Sequence, residues 1–195
     1  MLLFFLFSPD EISRLFERLD YEWAPDSAQR NIDYYDERTS HGSTLSYIAH
    51  AGVLAPLDPE HSWERFLVAL ESDVGDVQGG TTKEGIHLGV MAGTIDLVQR
   101  AYTGAEIRDG VLFFAPTLDD KLNGLSFPMQ VHGTPIRVTI RDGELTVVIT
   151  GGFSRAIKVG IGDDVRELGA GDRCTFTLAP QAAGVGQSGE TEGGT

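Results

Sequence analysis

Two stretches of the chain combine histidine with glycine, serine and threonine in a pattern suited to anion binding. They are Thr39-Ser40-His41-Gly42-Ser43-Thr44-Leu45-Ser46 and Val77-Gln78-Gly79-Gly80-Thr81-Thr82-Lys83-Glu84-Gly85-Ile86-His87. Each runs into an apolar pattern of helical period. The first N–H groups of a helix have no partner within it, and the macrodipole adds partial positive charge there. A loop of small residues feeding such an end is a seat for phosphate or another anion. His41 and His87 stand beside these ends, where an imidazole can donate to the same anion. Ser43 and Thr44 offer hydroxyls to a phosphate oxygen, and both equally suit N-capping. Thr81 and Glu84 have the spacing of a capping box, a role that the spacing favours for Glu84 over a catalytic one. Gly42, Gly79, Gly80 and Gly85 admit a ligand close to the backbone or simply relieve the turns.

Other chemistries find less support. Gly-x-x-x-x-Gly-Lys-Ser/Thr is absent, and so is the Gly-x-Ser-x-Gly elbow of a serine hydrolase. No close-spaced His pair accompanies His41 or His87, and Cys174 stands alone, so no metal site is expected. His50, His61 and His132 fall on helix or hairpin patterns and read as structural or surface residues. Cys174 lies in a strand pattern and reads as a small core residue.

These loops need helices to hold them, and residues 1–104 carry the helical signals. The opening Met1–Phe7 run lacks a basic start and a cleavage site and is too short to span a bilayer. It reads as a buried helical segment continued upstream, which something should cover. Ser8-Pro9-Asp10-Glu11 is a cap, an N1 proline and a capping-box glutamate, followed by an expected buried stripe of Ile12, Leu15, Phe16 and Leu19. Tyr21–Arg38 reads as a long connection packed through Tyr21, Trp23, Tyr34 and Tyr35. A helix is predicted from about Thr44 to Ala55, with Leu45, Ile48, Ala49 and Val53 on one side. The next, after Asp58-Pro59, has Trp63, Phe66, Leu67 and Leu70 on one face. A longer helix follows the second loop to about Tyr102, where Gly104 stops it.

After Gly104 the period becomes alternating. Asp109-Gly110, His132-Gly133, Asp142-Gly143, Gly162-Asp163 and Gly169-Ala170-Gly171-Asp172 punctuate β-branched runs, which predicts antiparallel hairpins and a small sandwich over residues 105–180. Residues 181–195 have almost nothing to bury and read as a disordered tail. The net charge of −14, with no cluster of Lys and Arg, argues against nucleic acid as a partner. A single cysteine excludes an internal disulfide framework and suits a reducing, cytoplasmic setting.

The stretches Tyr34–Ser46 and Asp76–Gly89, extended by Met91-Ala92-Gly93-Thr94 and Ile107-Arg108-Asp109, resemble glycoside hydrolase family 65 over about residues 1–180. The family comprises inverting maltose, trehalose, kojibiose and nigerose phosphorylases and related α-glucoside hydrolases. The resemblance implies an α-then-β chain: the last helices of an (α/α)6-barrel catalytic domain (residues 1–104), then a C-terminal antiparallel β-sandwich. It also implies a phosphate-binding role for Gly42, Ser43, Thr44 and His87, with His41 and Glu84 as neighbours. Inorganic phosphate would be the co-substrate, with no other cofactor, and an α-linked glucose disaccharide the substrate. The glutamate general acid of the family, and a Lys-Gln pair on its phosphate side, have no counterpart in this sequence, so the chain alone is expected to be inactive or nearly so. The resemblance also leaves room for a missing N-terminal part or a homodimer. The competing expectations are a non-catalytic carbohydrate-binding module built on the sandwich and a subunit that completes a barrel with a partner chain.

Overall fold

A computed structural model of the protein describes residues 1–118, 122–152 and 155–179. The expected tail at 181–195 lies outside the described residues. Helices α1 (Leu2–Leu6), α2 (Pro9–Arg18), α3 (Ser27–Asp36), α4 (Leu45–Leu54), α5 (Pro59–Glu71) and α6 (Leu88–Asp96) come first, and α6 runs into a π-helical turn at Leu97–Ala101. Eight strands follow among the described residues.

The capping box before α2 forms as its sequence dictates. Ser8 N–H donates to Glu11 Oε2 at 2.8 Å, and Glu11 N–H donates to Ser8 Oγ at 3.3 Å. Asp58 caps α5 by accepting the His61 N–H at 3.1 Å. The expected apolar faces are narrower than predicted. Of the α2 stripe only Ile12 is fully buried, while Leu15 and Leu19 are exposed. Leu45 on α4 and Leu70 on α5 are exposed as well. The Met1–Phe7 run is helical, but Leu2, Leu3, Leu6 and Phe7 are exposed, and Phe4 and Phe5 alone of its phenylalanines reach the helical cores. Tyr21–Arg38 contains a helix where a connection was expected: α3 is held on the core by Ile32, whereas Tyr21, Tyr34 and Tyr35 are exposed. Trp23 packs on Phe16, with ring centroids 4.4 Å apart.

Helices α4, α5 and α6 share a core of Ile48, Ala51, Ala55, Phe66, Ala69, Val90 and Leu97. Gly93 on α6 lies against Ile48 on α4, where an added Cβ would sit 2.8 Å from the isoleucine side chain. That close approach sets the distance between the two helices that follow the glycine-rich loops. Ser62 on α5 donates to the Ala51 carbonyl at 2.7 Å and ties α5 to α4.

The strands are β1 (Glu106–Arg108), β2 (Val111–Phe113), β3 (Leu125–Val131), β4 (Thr134–Arg141), β5 (Glu144–Ile149), β6 (Ile157–Ile161), β7 (Asp164–Leu168) and β8 (Arg173–Thr177). They form two four-stranded sheets, ordered β1-β2-β6-β7 and β3-β4-β5-β8. Three two-residue turns, Asp109-Gly110, His132-Gly133 and Asp142-Gly143, have both residues at positive φ. That conformation matches strand twist, and Asp, His and Gly tolerate it. Pairing is antiparallel except between β2 and β6, which are parallel, so the all-hairpin expectation holds for most of the ladder and fails there. Alternate residues of β4 and β5 (Ile136, Val138, Ile140, Leu145, Val147, Ile149) fill the core with Phe114, Phe127, Phe176 and Cys174.

Gly104 makes the junction. Its φ of +59 ends the helical region, and a Cβ there would come within 2.4 Å of the Ala115 carbonyl oxygen. Ala115 N–H donates to the Thr103 carbonyl and Thr117 N–H to the Tyr102 carbonyl, which fastens the sheet region onto the last helical turn.

Candidate functional site

The first loop enters α4 directly. Ser43 is exposed, and its Oγ accepts the Leu45 N–H at 3.3 Å. Thr44 is the helix N-cap by position, yet its side chain makes no capping hydrogen bond; it is buried, and Oγ1 has no hydrogen-bond partner among the described residues. An orphaned buried hydroxyl of this kind is one that a ligand oxygen or water satisfies. His41 has left-handed φ and packs flat on Tyr47, with centroids 4.2 Å apart, its edge toward His50 at 4.7 Å. Its Nδ1 lies 2.8 Å from Ser46 Oγ, while Nε2 is buried without a partner among the described residues. Burial, followed by the nearby His50 and Arg65, pushes the His41 pKa down. Its ring is thus held between Tyr47, His50 and Ser46, which fixes the shape of the first loop.

The second loop is organised differently from its sequence pattern. Thr81–Glu84 forms a 3₁₀ turn and not the start of the long helix, and Gly85, at φ +132, separates it from α6. The Thr81–Glu84 capping box does not form, and Glu84 is exposed. Asp76 supplies the acceptor instead: its Oδ1 takes the Thr82 hydroxyl at 3.1 Å and the Thr82 N–H at 3.4 Å. Backbone N–H groups of Gly80 and Thr82 hold the Asp76 carboxyl below the usual carboxylate range. The N-cap position of α6 falls on His87.

Each loop is closed at its base by an aspartate and a histidine, a feature that composition and motif spacing did not reveal. Asp36, at the end of α3, accepts from His50 Nδ1 of α4 at 2.6 Å. Asp73, just past α5, accepts from His87 Nδ1 at 2.5 Å. In both pairs the partners are 14 residues apart. The environments differ: the His50 side chain is 2% exposed, that of His87 is 27% exposed. The Gln78 amide, which sequence reasoning also missed, donates to the Gly42 carbonyl at 3.1 Å and bridges the two loops. Gly42 and Ser43 are therefore brought beside the second loop, with His87 at its far end. Arg65 adds a third polar group near the first loop; its guanidinium lies 6.0 Å from the Tyr47 ring. A cavity of about 420 Å³ elsewhere on α3 and α5 is lined by Asp33, Asp36, Glu37, Asp58 and His61, and its carboxylates would repel an anion. Among the described residues no group of His, Cys, Asp and Glu is placed to hold a metal ion.

The family model for the glycosyl hydrolase family 65 central catalytic domain matches residues 1–96, and that for the family's C-terminal domain matches residues 105–167. The chain belongs to glycosyl hydrolase family 65. All six residues singled out in the loops fall within the catalytic-domain match, and the C-terminal-domain match begins one residue after the Gly104 junction. Among family relatives, an uncharacterised glycosyl hydrolase of Mycobacterium tuberculosis is 42% identical over 91% of this chain and 13% of its own length. The trehalose 6-phosphate phosphorylase of Lactococcus lactis is 32% identical over 91% of this chain and 23% of its own. The solved structure of a putative kojibiose phosphorylase from the human microbiome superposes with a TM-score of 0.68 at 18% identity, over 86% of this chain and 23% of that one. The chain thus spans no more than about a quarter of these relatives' length. Phe114, Phe127 and Phe176 are buried and Phe113 is half-buried against the Arg108 guanidinium, so among the described residues these rings form no exposed row for stacking on a sugar. Among the described residues no helix is long and apolar enough to cross a membrane.

Proposed function

We propose that the two loops form the phosphate side of an α-glucoside phosphorylase site, which uses an α-linked glucose disaccharide and inorganic phosphate and no other cofactor. The Gln78–Gly42 bridge carries this reading, because it joins the two glycine-rich loops into one wall. The phosphorylase names among the relatives support the same reaction class. The Ser43 hydroxyl would donate to a phosphate oxygen, with the orphaned Thr44 hydroxyl behind it and His87 opposite through Nε2, while the first α4 N–H groups, already bonded to Ser43 and Thr44, contribute only the field of the helix end. In this reading residues 1–104 are the closing helices of an (α/α)6 barrel and 105–180 its C-terminal sandwich.

The reaction then runs by inversion. A phosphate oxygen attacks the anomeric carbon from the face opposite the glycosidic bond, and that bond breaks. A carboxylic acid protonates the leaving oxygen, which yields β-glucose 1-phosphate and the released sugar. The wall described here binds and orients the nucleophile; it offers no proton donor for the leaving group. That proton transfer commonly contributes ~10²–10⁴-fold, so these 195 residues by themselves should release essentially no glucose 1-phosphate. Titrating the isotope-labelled chain with inorganic phosphate tests the seat: the amides of Gly42–Ser46 and Gly85–Leu88 should move together, and His87→Ala should abolish the response at the second loop. A uniform response across the surface, or none at the loops, would remove the proposal.

A further inference from the structure

Both oxygens of Asp73 are spent on one residue. Oδ1 accepts from the ring Nδ1 of His87 at 2.5 Å and Oδ2 accepts the backbone N–H of His87 at 2.9 Å. The Asp73 side chain is only 9% exposed, so water competes little for either bond. The hydrogen bond from the His87 ring, first among several influences, holds the Asp73 carboxyl below its ordinary value. A carboxylate has no proton to give, so the nitrogen facing it must carry one. The neutral His87 ring is then protonated on Nδ1, and Nε2 keeps its lone pair. A ring in that form accepts a hydrogen bond through Nε2 and cannot donate one until it gains a second proton.

We propose that Asp73 is a positioning residue that locks His87 in the Nδ1–H form and so makes Nε2 a proton acceptor toward phosphate; this rests on the phosphate reading above. Monobasic phosphate meeting Nε2 passes one proton to it. The O–H bond of the phosphate breaks, an N–H bond forms, and the products are an imidazolium held between two anions and the more nucleophilic phosphate dianion. The matching Asp36–His50 pair shows the same hold without the outlet, since His50 is buried.

The test reads the tautomer of His87 in the chain labelled with ¹⁵N-histidine, by long-range ¹⁵N–¹H NMR at pH about 9, well above the ordinary histidine pKa of about 6.5. In the wild type the proton should sit on Nδ1. Asp73→Ala should shift His87 to a mixture with Nε2–H, and Asp73→Asn, which serves both His87 groups only with its oxygen on the backbone N–H and its NH2 facing Nδ1, should move the proton to Nε2. A wild-type ring protonated on Nε2, or an Asp73→Ala ring indistinguishable from the wild type, would overturn the proposal. If Asp73→Ala does not fold, the wild-type tautomer decides alone. Inorganic phosphate is added in a separate arm near neutral pH: a moving Nε2 resonance supports the phosphate seat. A still resonance with the Nδ1–H form intact refutes that seat and leaves the hold of Asp73 on the ring standing.

Discussion

The buried Asp36–His50 pair should couple the stability of the helical region to the shape of the first loop. His50 is 2% exposed and its ring touches His41, so His50→Ala removes packing and a hydrogen bond together. Truncating a buried ring costs roughly 3 kcal/mol or more. A hydrogen bond to a carboxylate contributes about 1.5–3 kcal/mol, and Asp36, at 18% side-chain exposure, recovers part of that from water. The single substitution should therefore cost about 3–4 kcal/mol, and Asp36→Ala about 1–2 kcal/mol. Measured by urea denaturation, the double-mutant cycle should return a coupling energy of about 1–2 kcal/mol, because the second substitution removes a bond already lost. His50→Ala should also speed amide exchange at Gly42 and Ser43, since His41 loses one wall of its seat. A coupling energy below about 0.5 kcal/mol, the usual error of additivity, would mean that the pair does not close the loop.

Three further outcomes follow from the same geometry. Gly104→Ala forces a side chain into left-handed φ against the Ala115 backbone and should cost roughly 3 kcal/mol or more, seen as a lower Tm with both halves of the chain affected. Gln78→Ala breaks the hydrogen bond that bridges the two loops; it should cost no more than about 1 kcal/mol in stability while uncoupling the phosphate responses of the two loops by NMR. Asp76 and Asp73 have lowered folded-state pKa values, so what they contribute is fully present above the ordinary value of 3.8 and lost as the pH falls through the lower folded values. Amide protection at Gly80 and Thr82 should accordingly persist below pH 3.8 in the wild type and be weak at all pH values in Asp76→Ala, which removes the acceptor.

The caps and tight turns were legible because they are short-range. Ser8 and Glu11 meet within one helical turn, and Asp109-Gly110, His132-Gly133 and Asp142-Gly143 adopt the backbone that their residue types tolerate. The Thr81–Glu84 box failed for an equally physical reason. Its pattern was sound, but Asp76 reached the Thr82 N–H and hydroxyl and took over the role. The apolar stripe of α2 misled in another way: periodicity marks which residues share a face, and only a packed neighbour decides that Ile12 is buried while Leu15 and Leu19 are not.

By itself, then, the sequence determined the caps of α2 and α5, where the tight Asp-Gly and His-Gly turns fall, and that two loops of small residues lie close before helices with His41 and His87 nearby. Only the tertiary structure decided what those histidines can do. It sealed His41 against Tyr47 and His50, and it left His87 partly open with one nitrogen committed to Asp73. The physical reason is distance along the chain. Local rules act over three or four residues, whereas Asp36 and His50, Asp73 and His87, and Gly42 and Gln78 meet only after packed helices bring their loops together.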